Sequence, residues 1–172
     1  MSIGPEGCGI MDEGLEERII RWATDSGMYR GRVEDEKARF HLYVEYPEGS
    51  GNVMDIVGPA YRDDTVLIIA RVTIDPTHRT SFAALPGARK VELMNEMMRV
   101  LIFQPVGFMA TPSIDNPEGF QFVKDMYDDG MTKASFMEGM GWVHRCITYV
   151  VWRYNNTFSE GKGAEAPCTM YC

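Results

Sequence analysis

The sequence predicts an α+β domain, an antiparallel sheet of about five strands carrying helices, in the order helix, three strands, helix, two strands, long C-terminal helix. Three observations within the 172 residues support this. Apolar residues recur at helical spacing in three separated segments. Between those segments they alternate or run unbroken, as in strands. Short turn-forming stretches join neighbouring strands, which makes antiparallel hairpins the natural connection.

The first helix opens at Asp12, whose carboxylate can cap free backbone N–H groups, and presents Leu15, Ile19, Trp22 and Ala23 on one face. Gly27 suits the left-handed residue that stops a helix. Phe40, Leu42, Val44 and Tyr46 alternate with His41, Tyr43 and Glu45, a strand with one dry and one wetter face. The turn Pro47-Glu48-Gly49-Ser50-Gly51 leads to a shorter strand, Val53 to Val57. Val66 to Ile74 is the third; its unbroken apolar run through Ala70 predicts a central strand covered on both faces.

From Asp75 to Gly87 the periodicity fails, and Pro76 and Pro86 bracket a loop with room for a short helical turn. A helix then runs from Ala88 to Phe103, with Val91, Met94, Met98 and Leu101 on one face, Arg89, Glu92, Glu96 and Arg99 on the other, and Pro105 ending it. Strands follow at Gly107 to Thr111 and Phe120 to Met126. Thr132 caps the closing helix, which reaches Thr157 and repeats Phe136, Met140, Val143, Ile147, Val150, Val151, Tyr154 and Phe158 along one stripe. Residues 1–11 and 159–172 show no periodicity and read as flexible tails around a single domain, residues 12–158.

That order, with a long closing helix after Gly130-Met131-Thr132, resembles the type III secretion chaperone-like fold, and more narrowly an uncharacterised archaeal family within it. The residues behind the resemblance are the helix Leu15 to Ala23, the strands Phe40 to Tyr46 and Val66 to Ile74, and the helix Thr132 to Tyr154. The likeness covers about residues 12–158 and lies in element order, not in a chemical motif. It implies a small protein that binds other protein chains, often as a homodimer. It carries over no functional residue.

The net charge of −8 opposes binding to nucleic acid or to an anionic membrane. No window approaches the ~20 apolar residues of a membrane span, and no secretory leader is evident, so a cytoplasmic protein with reduced cysteines is expected. No catalytic, cofactor or metal signature emerges. His41, His78 and His144 are too far apart in sequence for metal-ligand spacing and read as surface or edge histidines. Cys168 and Cys172, even joined by Cys8, lack a fourth zinc ligand, and Cys146 reads as a small core hydrophobe. Asp125, Asp128 and Asp129 fail as a calcium loop, because Phe136 stands where a bidentate Glu is needed; Asp128-Asp129-Gly130 is a turn into the helix.

The closing helix is apolar beyond its main stripe, at Met137, Trp142, Tyr149 and Trp152, broken by Glu138, Arg145, Thr148 and Arg153. Such a helix is buried on two sides. A partner, either a second copy or a protein client, can supply the second side, or the chain's own tails and loops can. Gly139 and Gly141 inside this helix point to close backbone approach, and Met94, Met97, Met98, Met137 and Met140 suit either an adaptable surface or plain core filling. The first functional expectation is therefore a non-enzymatic, homodimeric protein-binding module. The alternative is a small-ligand binder or enzyme with a pocket beside the 75–87 loop, using His78 and Arg79.

Overall fold

The structure, a computed structural model, describes residues 14–159. These residues form helix α1 (Leu15–Asp25), strands β1 (Tyr29–Arg32), β2 (Ala38–Glu45), β3 (Val53–Pro59) and β4 (Thr65–Thr73), helices α2 (Pro76–Ala84) and α3 (Gly87–Leu101), strands β5 (Gly107–Thr111) and β6 (Gly119–Tyr127), and helix α4 (Lys133–Phe158). The strands make one antiparallel sheet in the order β1-β2-β3-β4-β6-β5. The expected α+β architecture is therefore present, with six strands rather than about five.

The sheet turns one face to the core. Phe40, Leu42 and Val44 of β2, Met54 and Ile56 of β3, Val66, Ile68 and Ala70 of β4, and Phe120 and Phe122 of β6 are all buried. Register aligns them in rows, Leu42 beside Ile56 and Ile56 beside Ile68. Helices α1 and α4 fill this face with Ile19, Trp22, Phe136, Met140, Val143 and Val150. Gly139 lets α4 come close: a Cβ there would lie 2.7 Å from the Met126 sulfur and 3.1 Å from the Ile68 methyl. Thr132 caps α4, accepting from the Ser135 N–H at 3.1 Å while the Ser135 hydroxyl accepts from the Thr132 N–H at 2.9 Å.

Several local expectations need correction. The first helix starts at Leu15 with Gly14 at its cap, and Asp12 lies outside the described residues, as do Cys8, Cys168 and Cys172. Strand β1 was not foreseen: Tyr-Arg-Gly-Arg has no apolar alternation, and its pairing partner β2 imposes the extended conformation. Strand β4 is central, as expected, but among the described residues only one of its faces is fully buried; Leu67 and Ile69 on the other face are half-buried.

The segment expected as a loop is α2. Asp75 caps it, accepting the Thr77 N–H at 2.8 Å; Pro76 fits the first turn; Pro86 separates it from α3. In α3 the buried face is Leu93, Met94, Met97 and Leu101, while Val91 is exposed and Met98 half-buried. The apolar arc of this helix spans all six positions, and packing against α4 selects its edge. In α4 the expected stripe is buried except for Val151, which is exposed, and Phe158, which is half-buried. No helix among the described residues is long and apolar enough to cross a membrane.

Candidate functional site

Two places on this scaffold concentrate features that packing alone does not explain. The first is the outer face of α3 and α4. Met137, Trp142 and Tyr149 are half-buried against the chain's own core, whereas Trp152 is 47% exposed. The Arg145 guanidinium lies 4.5 Å from the Trp142 ring, and the Tyr149 and Trp152 rings sit 6.4 Å apart. An Arg153–Glu96 ion pair ties α4 to α3. Val100 borders a small recess of about 160 Å³ with Arg145, Cys146 and Tyr149. Beyond it the chain exposes Ile102 (66%) and Phe103 (83%). These two were missed from sequence. An apolar pair placed just before the helix-ending Pro105 was the available signal.

The second place is a cavity of about 310 Å³ where the end of β4, the first turn of α2 and the last turns of α4 meet. Its walls include Val72, Thr73, Asp75, His78, Val151 and Tyr154. The His78 ring lies 6.0 Å from Phe158. Arg79 is not part of this wall; it turns to Glu118 at 2.5 Å. The Tyr154 hydroxyl is buried with no hydrogen-bond partner among the described residues, and burial pushes this phenol well above its ordinary range. The hydrogen bonds from Thr77 hold the Asp75 carboxyl below its usual value.

The remaining histidines and the core cysteine are placed by packing. His41 bridges Asp35 (3.2 Å) and Asp55 (3.0 Å) on the uncovered sheet face, where Arg71 joins Asp55 at 3.2 Å and Gln121 at 3.1 Å. Burial raises the Cys146 thiol to about 11, which leaves it protonated and inert. No group of three or more metal-ligating side chains occurs among the described residues.

His144 is edge-on to Tyr46 at 5.7 Å, with its Nδ1 buried and unpartnered among the described residues. Desolvation lowers its pKa below the ordinary 6.5. Below about pH 6.5 the unfolded chain therefore binds a proton that the folded chain refuses, so this contribution to stability is full above that pH and is lost on acidification. The urea midpoint is expected to fall from about pH 7.5 to about pH 5.5, and to fall less in His144→Phe. An identical loss in the variant would show that His144 does not cause it.

The chain matches the family model described as Uncharacterized conserved protein (DUF2299) over residues 15–154. It is similar to the crystal structure of an uncharacterized protein from Methanothermobacter thermautotrophicus, with 29% identity and a TM-score of 0.79, covering 83% of this chain and 98% of the other. It also aligns with the crystal structure of YbjN, proposed to be a transcription regulator, from E. coli, at 20% identity and a TM-score of 0.49, over 84% of this chain and 92% of that one. No curated protein matches.

Proposed function

We propose that this chain, which belongs to the DUF2299 family, is a non-enzymatic protein-binding module that pairs with a second copy of itself through the outer face of α3 and α4. The observation that carries this is the exposure of Trp152 beside the half-buried Tyr149, together with the exposure of Ile102 and Phe103 just past the end of α3. Aromatic anchors of this size dominate interface energetics, because each removes some 150–250 Å² from water.

Charge favours a second copy as the occupant. The protein is acidic overall, so two copies repel at long range. The seam between α3 and α4 is the exception: Arg89 and Arg153 balance Glu92 and Glu96 there, and Arg99 and Arg145 flank it. These charges pair within the chain, Arg89 with Glu92 and Arg153 with Glu96, so the seam presents little net charge to oppose a second copy across a two-fold axis. The element order also supports the type III secretion chaperone-like assignment, whose members bind other chains. Such a module would work in the cytoplasm, where thiols such as Cys146 stay reduced.

Light scattering at high concentration is expected to give twice the chain mass of 19.5 kDa. Trp152→Glu combined with Phe103→Glu should weaken pairing by roughly 30-fold or more and yield monomer, with the melting temperature of the monomer unchanged. A wild-type protein that stays monomeric at the highest concentrations, or a dimer indifferent to both charges, would refute this interface.

A further inference from the structure

We propose that strand β5 pairs with β5 of a second copy, antiparallel about a two-fold axis at Met109, so that the two sheets continue as one. This rests on the self-pairing proposed above and names where the backbones of the two copies meet.

The sheet has two edges, β1 and β5, and they are built differently. An edge strand carries a row of backbone N–H and C=O groups without a neighbour, and proteins blunt such rows with charge, proline or a bulge. Strand β1 is blunted in this way: Arg30 and Arg32 stand on it, and its register slips between Tyr29 and Gly31. Strand β5 is not. It reads Gly-Phe-Met-Ala-Thr, without a charge or a proline. It keeps an unbroken register with β6, from Gly107 opposite Val123 to Thr111 opposite Gly119. Its other side pairs with no strand among the described residues. Met109 on one face is 57% exposed, and Phe108 and Ala110 on the other are half-buried.

Charge, shape and position make a second copy the occupant. The chain carries a net charge of −8, and β5 brings none of it into the contact. The same symmetric pairing of β1 about Gly31 would set Arg30 against Arg32, a like-charge pair directly opposed. About Met109, antiparallel pairing sets Phe108 opposite Ala110 of the other copy, large against small on one face, and Gly107 opposite Thr111 on the other. Only Gln104, Pro105 and Val106 separate β5 from the exposed Ile102 and Phe103, at most about 14 Å of chain. The edge therefore adjoins the apolar surface of the proposed interface. Pairing also uses up both open edges at once. The joined sheet ends on β1 at either side, so growth stops at two copies.

Light scattering and hydrogen exchange on the full chain test this. The β5 amides that face away from β6 should exchange about 10-fold or more slower at concentrations where the protein pairs than where it is monomeric. Met109→Lys changes an exposed side chain, so melting of the monomer should be unchanged. Pairing should weaken about 10-fold or more, because the two lysines oppose each other across the axis. Met109→Glu should do the same. An equimolar mixture of the two variants should recover pairing to within about 3-fold of the natural chain, since Lys then opposes Glu. A mixture that pairs no better than either variant alone, or β5 amides that exchange equally fast in dimer and monomer, would overturn edge pairing and leave the α3–α4 interface standing. A natural chain that never pairs would refute that interface, and the strand pairing with it.

Discussion

Phe82→Ala is expected to destabilise the protein by about 3–5 kcal/mol, the range for removing a buried aromatic ring when the surroundings cannot collapse into the space. Phe82 is 1% exposed and is the one buried residue of α2, all of whose residues are described. Its ring meets Tyr154 at 6.3 Å and Phe158 at 6.4 Å, and the Lys90 ammonium lies 5.8 Å from it. Beside the His78–Phe158 contact, this side chain supplies the buried ring contacts that fasten α2 to α4. Against a typical total stability of about 5–15 kcal/mol, the loss is large.

The effect has a spatial signature as well as a size. With Phe82 gone, α2 retains its Asp75 cap and the Arg79–Glu118 pair, both exposed and each worth about 1 kcal/mol or less once solvent screens them. Amide hydrogens of α2 should then exchange much faster than those of α4, and the cavity wall carrying Asp75 and His78 should lose its fixed position. Urea unfolding followed by circular dichroism, together with hydrogen exchange, measures both. A loss below about 1 kcal/mol would mean that α2 is held by something other than this ring.

How much of this was legible in the sequence follows from how each element is stabilised. Helix α4 and strand β2 were placed closely, because their own apolar periodicity buries them: Phe136, Met140, Val143 and Val150 on one, Phe40, Leu42 and Val44 on the other. Helix α2 was not, because a helix that buries Phe82 alone has no stripe to detect; the start signal Asp75-Pro76 was present but outweighed by the polar run Thr77 to Ser81. Strand β1 was invisible for a related reason, since its pairing is supplied by β2.

The same logic separates the two sites. Trp152 was legible as an apolar residue off the main stripe, and it is exposed. The sequence predicts a helix through Phe103, whereas α3 stops at Leu101, and the exposure of Phe103 depends on that end. The sequence points to His78 beside a pocket and to Tyr154 as part of the apolar stripe. That assignment is right for its ring, and no sequence pattern reveals that its hydroxyl lacks a partner.

Gly119→Ala is expected to cost about 2–3 kcal/mol, an overpacking loss caused by a single methyl group. Gly119 lies in β6 between Thr73 of β4 and Thr111 of β5. A Cβ there would sit 2.5 Å from the Val72 carbonyl oxygen, closer than any real carbon–oxygen contact of that kind. The obstacle is backbone, so no rotamer change can relieve it; β4 and β6 must part. Parting them strains the neighbouring Ile74 N–H to Glu118 carbonyl bond (2.9 Å) and the Glu118 N–H to Thr111 carbonyl bond (2.7 Å). Val72 and Thr73 also line the cavity between β4, α2 and α4, so the same methyl should distort its wall. Gly107→Ala is the matched control on β5: the nearest atom to its Cβ is the Val123 carbonyl oxygen at 3.5 Å, an ordinary contact, and stability should change by no more than about 0.5 kcal/mol. Denaturation of the two variants side by side decides the matter, and a Gly119→Ala protein as stable as the Gly107→Ala protein would show that the β4–β6 ladder does not approach as closely as described.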